Sequence, residues 1–215
     1  MSFFNQLEVE TKQDREALFS IPIIQDALRG EIKLHQYLAF LKEAYHHVKH
    51  TVPLLTACKN QTPIDYPWLK EAMAEYIEDE MGHEEWILND IKAAGGKFNE
   101  VRHSEPIIFT ELMVADAYYQ IYQKNPIGFL GMVFVLEGTS IAIATNAASA
   151  MQKSLQLPNE AFTYLNSHGS LDLTHVEFFK TLVNQFTKEE DQKIVIDCAK
   201  KFYFLYGNIF KHLPA

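Results

Sequence analysis

Three carboxylates and three imidazoles stand in this chain at spacings that metal ions use. Glu80 precedes His83 by three positions, and His168, Asp172 and His175 follow one another at i, i+4 and i+7. On a helix, each of these sets projects from one face on successive turns. Glu137 is the single ionisable residue between Lys124 and Lys153. A carboxylate in so apolar a run must be paired, protonated or bound to a metal, because an isolated buried charge costs several kcal/mol. Glu80, His83, Glu137, His168, Asp172 and His175 together make one complete dinuclear ligand set. Nitrogen and oxygen donors without thiolate suit Fe(II), or Mn in its place, better than structural zinc. Two divalent ions bring four positive charges against three carboxylates, so about one remains for a hydroxide or an anionic substrate group. An open coordination position would then be free for dioxygen as co-substrate.

The spacing matters only if helices carry it. Apolar residues recur at three- and four-residue intervals almost throughout, and no segment alternates as a strand would, which predicts an all-α protein. Prolines and glycines divide the chain into short helices near 3–18 and 22–29 and long ones near 31–52, 66–94, 106–123, 127–153, 158–184 and 187–212. On the 66–94 segment the inward stripe reads Leu69, Met73, Tyr76, Glu80, His83, Ile87, Ile91, while Glu71, Glu75, Glu78, Asp79 and Glu85 fall on a solvated face. On 158–184 it reads Leu165, His168, Asp172, His175, Phe179, Leu182. A Glu-x-x-His pair alone is a weak signal, and its place on the stripe is what raises it. The His-x-x-x-Asp-x-x-His run is the more specific motif.

Two other arrangements use much the same residues. The histidines can be satisfied core residues with Asp172 orienting one of them. Alternatively, Glu43, Glu80 with His83, Glu137, and Asp172 with His175 follow the order of ferritin-like di-iron bundles. Against the latter, Glu43 lies off the stripe Leu34, Leu38, Leu41, Tyr45, Val48, Val52, and His168 is left without a role. Of His46, His47 and His50 on the same helix, only His47 is placed to line a pocket.

Length and composition set the outer limits. At 215 residues the chain fits one domain spanning 1–215, and no linker or low-complexity tract divides it. With 19 basic and 28 acidic residues its formal net charge is −9, which speaks against a nucleic acid or an anionic membrane as partner. The Asn125–Gln152 run is long enough to cross a bilayer, but Thr139, Ser140, Thr145, Asn146 and Ser149 dilute it, and a helix buried at the centre of a bundle is the better reading. Cys58 and Cys198 form no close pair, and the N-terminus carries no basic start followed by an apolar core, so a reducing cytoplasm is expected. A small-molecule substrate is the expected partner.

The order Glu80-x-x-His83, then Glu137 in VLEGTS, then His168-x-x-x-Asp172-x-x-His175 resembles the heme-oxygenase-like di-iron oxidases and oxygenases. That group includes a bacterial fatty-acid decarboxylase and a chlamydial protein that makes p-aminobenzoate. In length and helix order nearly the whole chain is similar to the wider TenA and PqqC superfamily, which implies a heme-oxygenase-like helical bundle and, commonly, a homodimer. The resemblance implies that Glu80, His83 and His168 hold one iron and that Glu137, Asp172 and His175 hold the other. Some members place the first Glu seven residues before the His, a position that is Tyr76 here. It further implies activation of dioxygen to oxidise a small organic substrate by desaturation, oxidative decarboxylation or N-oxygenation. Thiaminase II enzymes of the TenA type use a cysteine nucleophile on the helix where this chain has Glu137, and neither Cys58 nor Cys198 is near it in sequence. PqqC works without metal in a His, Arg and Tyr pocket, whereas this chain has only Arg15, Arg29 and Arg102. A metal-free enzyme of either kind, or a non-catalytic binding member, is the alternative.

Overall fold

The computed structural model describes residues 1–167 and 175–215. Among them the regular elements are all helical, as expected: α1 (Phe3–Glu10), α2 (Lys12–Phe19), α3 (Pro22–Arg29), α4 (Leu34–Val48), α5 (Thr51–Gln61), α6 (Pro67–Glu80), α7 (His83–Ala93), α8 (Phe98–Arg102), α9 (Ile108–Tyr119), α10 (Phe129–Leu155), α11 (Thr163–Val183) and α12 (Glu189–Lys211). A π-helical turn, Gln120–Lys124, extends α9.

Several expected helices are divided. The segment near 3–18 breaks at Thr11, whose hydroxyl donates to the Leu7 carbonyl and whose backbone N–H closes α1. Lys49 and His50 end α4, and a separate helix, α5, begins at Thr51 and runs to Gln61, although the sequence predicts the end of one helix near 52 and no other before 66. Most consequential is the division of 66–94. Glu80 is the last residue of α6, His83 the first of α7, and Gly82 between them has φ +89°, a left-handed conformation that L side chains resist. The apolar stripe nonetheless stays inside on both sides of the break, with Leu69, Met73, Tyr76, Ile87 and Ile91 all buried.

Two hydrophobic cores share the long helix α10. Its first half, Phe129 to Val135, packs into one core with α1, α5, α6, α9, α12 and the C-terminal half of α11. Its second half, Ala144 to Met151, packs into another with α4, α7 and the start of α11. Close approach of α10 to α12 depends on Gly131, where a Cβ would lie 2.5 Å from the Ala199 nitrogen. The Pro126–Leu155 stretch passes a length and hydropathy test for a membrane span, yet 67% of its most apolar window is buried by neighbouring helices. The residues from Leu136 to Ile143 lie where α10 passes from one core to the other, and that gap holds the candidate site.

Candidate metal centre

A cavity of about 150 Å3 opens between the two cores. Its floor is one face of α10, from Phe129 through Glu137 and Ser140 to Met151, and its walls come from α3, α4, α5, α6, α11 and α12. Glu80 and Glu137 are the only residues with a formal charge among the described lining, and they stand on two different helices. The expected lining role of His47 is met, and its buried ring lies edge-on to Tyr206 with centroids 5.9 Å apart.

The described candidates form a connected group. His83 Nδ1 lies 2.9 Å from Glu80 Oε2, and the imidazole stacks on Trp86 at 4.0 Å. His83 Nδ1 is therefore turned to the Glu80 carboxylate. The Tyr76 hydroxyl donates to Glu137 Oε2 across 3.4 Å, and its ring meets the His175 ring edge-on at 5.9 Å. Tyr76 thus ties the α10 carboxylate to α11. His175 is buried, with Nε2 3.5 Å from Asp79 Oδ2, so one member of the acidic face of α6 turns toward the site. His168 and Asp172 lie outside the described residues. Among the described residues no three His, Cys, Asp or Glu side chains close to metal-binding distance of one another.

Glu43 has a different task from the one a ferritin-like order would give it. It is buried, not off the core as its place on α4 suggested, because a second face of α4 is covered by α9. Its Oε2 accepts from the Ile107 backbone N–H at 3.0 Å and the Thr110 hydroxyl at 2.7 Å. It therefore satisfies donors at the open N-terminus of α9, and it does not line the cavity. His46 is likewise occupied elsewhere. Its Nε2 is 3.0 Å from the Ser104 hydroxyl, and burial, with Lys49 nearby, pushes its pKa down to about 4.

Neither cysteine reaches the cavity. Cys58 donates to the Pro126 carbonyl and burial pushes its thiol up to about 12; burial likewise raises Cys198 to about 11. Sequence reasoning did not single out Tyr76 as a link between helices or Thr139 as a buried cavity hydroxyl. Tyr76 stood out only as a stripe position and as the place where some similar proteins carry a Glu, and a threonine in an apolar run carries no spacing signal.

Residues 38–207 match the family model described as iron-containing redox enzyme. The chain belongs to this family. No curated protein matches it. Among solved structures, it is similar to a domain of unknown function with a heme oxygenase-like fold from Shewanella denitrificans OS217, at TM-score 0.89 and 22% identity over 98% of this chain and 91% of that one. It is also similar to a heme oxygenase from Leptospira interrogans, at TM-score 0.79 and 15% identity over 99% and 100% of the two chains. A TenA homologue from P. horikoshii OT3 aligns at TM-score 0.78 and 15% identity over the whole of both chains. At these identities the likeness is one of fold, and the fold is the heme-oxygenase-like bundle.

Proposed function

We propose that this member of the iron-containing redox family is a non-heme di-iron oxidase or oxygenase that uses dioxygen to oxidise a small organic substrate. Supporting the reading above all is the placement of Glu80 and Glu137 from separate helices in a largely apolar cavity. Glu80 lies beside His83 and Glu137 beside Tyr76, no Lys or Arg is present among the described lining residues, and a bound cation would suit two such carboxylates. The donor set fits Fe(II), about two per chain, with Mn as the other candidate. Glu80, His83 and His168 would hold one ion and Glu137, Asp172 and His175 the other. When bound, the pair supplies one-electron redox chemistry with dioxygen.

The chain's own residues do the rest. Glu80 and the stack on Trp86 hold the His83 ring in place beside the cavity. Tyr76 holds Glu137 and has a proton to donate at Oε2. The apolar walls exclude water, which strengthens electrostatic interactions inside and limits side reactions. A metal-free thiaminase of the TenA type would need a thiolate facing the cavity, and both cysteines are buried elsewhere with raised pKa values.

In the same reading the protein works in the cytoplasm on a small molecule and forms a homodimer. The test is anaerobic titration of chelator-treated protein with ferrous iron, followed by dioxygen and stopped-flow absorbance. Binding of about two ions per chain, with a transient visible band lost in His168→Ala, is expected. Absence of stoichiometric iron binding would leave a metal-free enzyme or a binding protein.

A further inference from the structure

Helix α9 supplies none of the described residues that line the cavity, yet its outer face is patterned like a buried one. Ile108, Leu112, Ala115 and Tyr119 follow at steps of four, three and four, the spacing that keeps side chains in one stripe along a helix. All four are exposed, Ile108 to 56%, Leu112 to 46% and Tyr119 to 52%. Between Ile108 and Tyr119 the one other exposed residue is Glu111. Thr110, Met113, Val114 and Ala117 already bury the opposite face, so the outer stripe is not part of this chain's own core.

Helix α12 widens the apolar surface. It runs antiparallel beside α9, with Lys201 2.6 Å from Asp116 and His212 stacked on Phe109 at 3.9 Å. Phe204, 66% exposed, stands between these two contacts. With about half or more of each side chain uncovered, Ile108, Leu112, Tyr119 and Phe204 expose on the order of 500 Å2, at the upper end of what a monomer leaves bare. Adding the rim residues Glu105, Glu111, Tyr122 and Lys124 brings the face toward the ~800 Å2 that each partner gives to a standard interface.

The order of residues along the stripe selects what covers it. Turned end for end against a second copy, the stripe sets Ile108 against Tyr119 and Leu112 against Ala115, so a large side chain meets a small one on either side of the centre and an aliphatic one meets a ring at each end. Charge agrees with this reversal. Glu105 precedes the stripe and Lys124 follows it, both exposed, with the Lys124 ammonium over the Tyr119 ring at 5.5 Å. Antiparallel pairing brings Glu105 of each copy to Lys124 of the other, whereas parallel pairing would set like charges together.

We propose that the chain dimerises through this face, with α9 of one copy antiparallel to α9 of a second and the two-fold axis passing between Leu112 and Ala115. The interface rests on the homodimer of the reading above and is independent of its metal.

The experiment is sedimentation velocity on the whole chain at micromolar concentration, where the wild type should be a dimer. Ala115→Arg, at an exposed position next to the axis, should weaken dimerisation by on the order of 30-fold or more, as at the centre of an interface. Leu112→Lys serves the same purpose should that variant fail to fold by circular dichroism. Glu105→Lys should weaken the dimer by up to about fivefold, the range of a rim ion pair, and Lys124→Glu in the same chain should restore it; failure to restore overturns that pairing. Register is read by cross-linking with diamide. Ile108→Cys and Tyr119→Cys together should give a disulfide-linked dimer, since within one chain the two lie about 16 Å apart, too far to bridge. Cys58 and Cys198 are buried and add no background. A double variant that stays unlinked, or Ile108→Cys that links alone, overturns the antiparallel order. A dimer unmoved by both Ala115→Arg and Leu112→Lys refutes this face and leaves the homodimer standing, whereas a monomeric wild type refutes both.

Discussion

Glu43 and Glu137 are both acids within long, largely buried helices, yet their surroundings differ in kind. Glu43 meets a backbone N–H and a hydroxyl at the open end of α9, within hydrogen-bond distance of both. Glu137 faces a cavity, with Tyr76 at a long 3.4 Å and a second carboxylate, Glu80 of α6, lining the same cavity. Asp90 belongs with Glu43: it is fully buried and accepts from the Thr163 and Tyr164 backbone N–H groups, closing the start of α11. Burial alone therefore does not mark a functional acid. What separates the two classes is placement: Glu43 and Asp90 accept at the starts of helices, whereas Glu137 lines a cavity.

Removing one acid of each class should give opposite outcomes. Glu137→Gln should reduce iron-dependent dioxygen consumption by a factor on the order of 100 or more, as loss of a ligand to a catalytic metal does. Its urea midpoint should stay close to that of the wild type or rise, because a carboxylate in an apolar wall is relieved. Glu43→Ala should do the reverse. Leaving the Ile107 N–H and Thr110 hydroxyl without their acceptor should cost about 2–3 kcal/mol in equilibrium unfolding, while ferrous stoichiometry is unchanged. Unchanged iron binding in Glu137→Gln together with lost binding in Glu43→Ala would transfer the ligand role to Glu43 and restore the ferritin-like order.

Asp90 tests the capping class through pH. Burial pushes its pKa up to about 6 from an ordinary 3.8, against the opposing pull of the two backbone N–H groups. Because the folded-state pKa is the higher, the unfolded chain loses its proton first as pH rises. Between about pH 4 and 6 the folded state binds more protons, so Asp90 makes stability fall with rising pH across that window; below it the effect is absent and above it complete. Asp90→Asn should flatten this fall by on the order of 2 kcal/mol, read from urea midpoints at pH 4 and pH 7. An identical pH slope in the variant would show that the carboxylate is not perturbed by its burial.

Fold class and the inward faces were legible because they depend on local periodicity. Leu165, His175, Phe179 and Leu182 are buried as their spacing on α11 required, and Glu71, Glu75, Glu78 and Glu85 are exposed on the face assigned to solvent. The membership of Glu80 and Glu137 in one cavity follows from stripe position and from isolation in an apolar run, both readable in one dimension. Glu43 was not legible, since its burial comes from α9, an element 64 residues further on, and helical periodicity describes only one covered face. The division at Gly82 was missed for a related reason. The apolar stripe continues in phase across residues 81 and 82, and a single glycine within a periodic run is compatible with an unbroken helix.

That break offers the smallest effect and the sharpest choice between two arrangements of Glu80 and His83. In the structure Gly82 has φ +89° and open space where a Cβ would be, so Gly82→Ala would meet no atom and only the backbone conformation would resist it. If the break persists, alanine in the left-handed region should cost about 1 kcal/mol in urea unfolding. If instead residues 67–93 run as one helix, the same substitution should stabilise by about 1 kcal/mol, because alanine is the better residue in a helix interior. The sign decides which geometry brings the Glu80 carboxylate to His83. In the broken form they meet across a turn, Nδ1 to Oε2 at 2.9 Å. In a continuous helix they would be i, i+3 neighbours on one face, both pointing into the cavity. A destabilised Gly82→Ala variant that still binds ferrous iron as the wild type does would show that the turn, not a helix face, presents the pair.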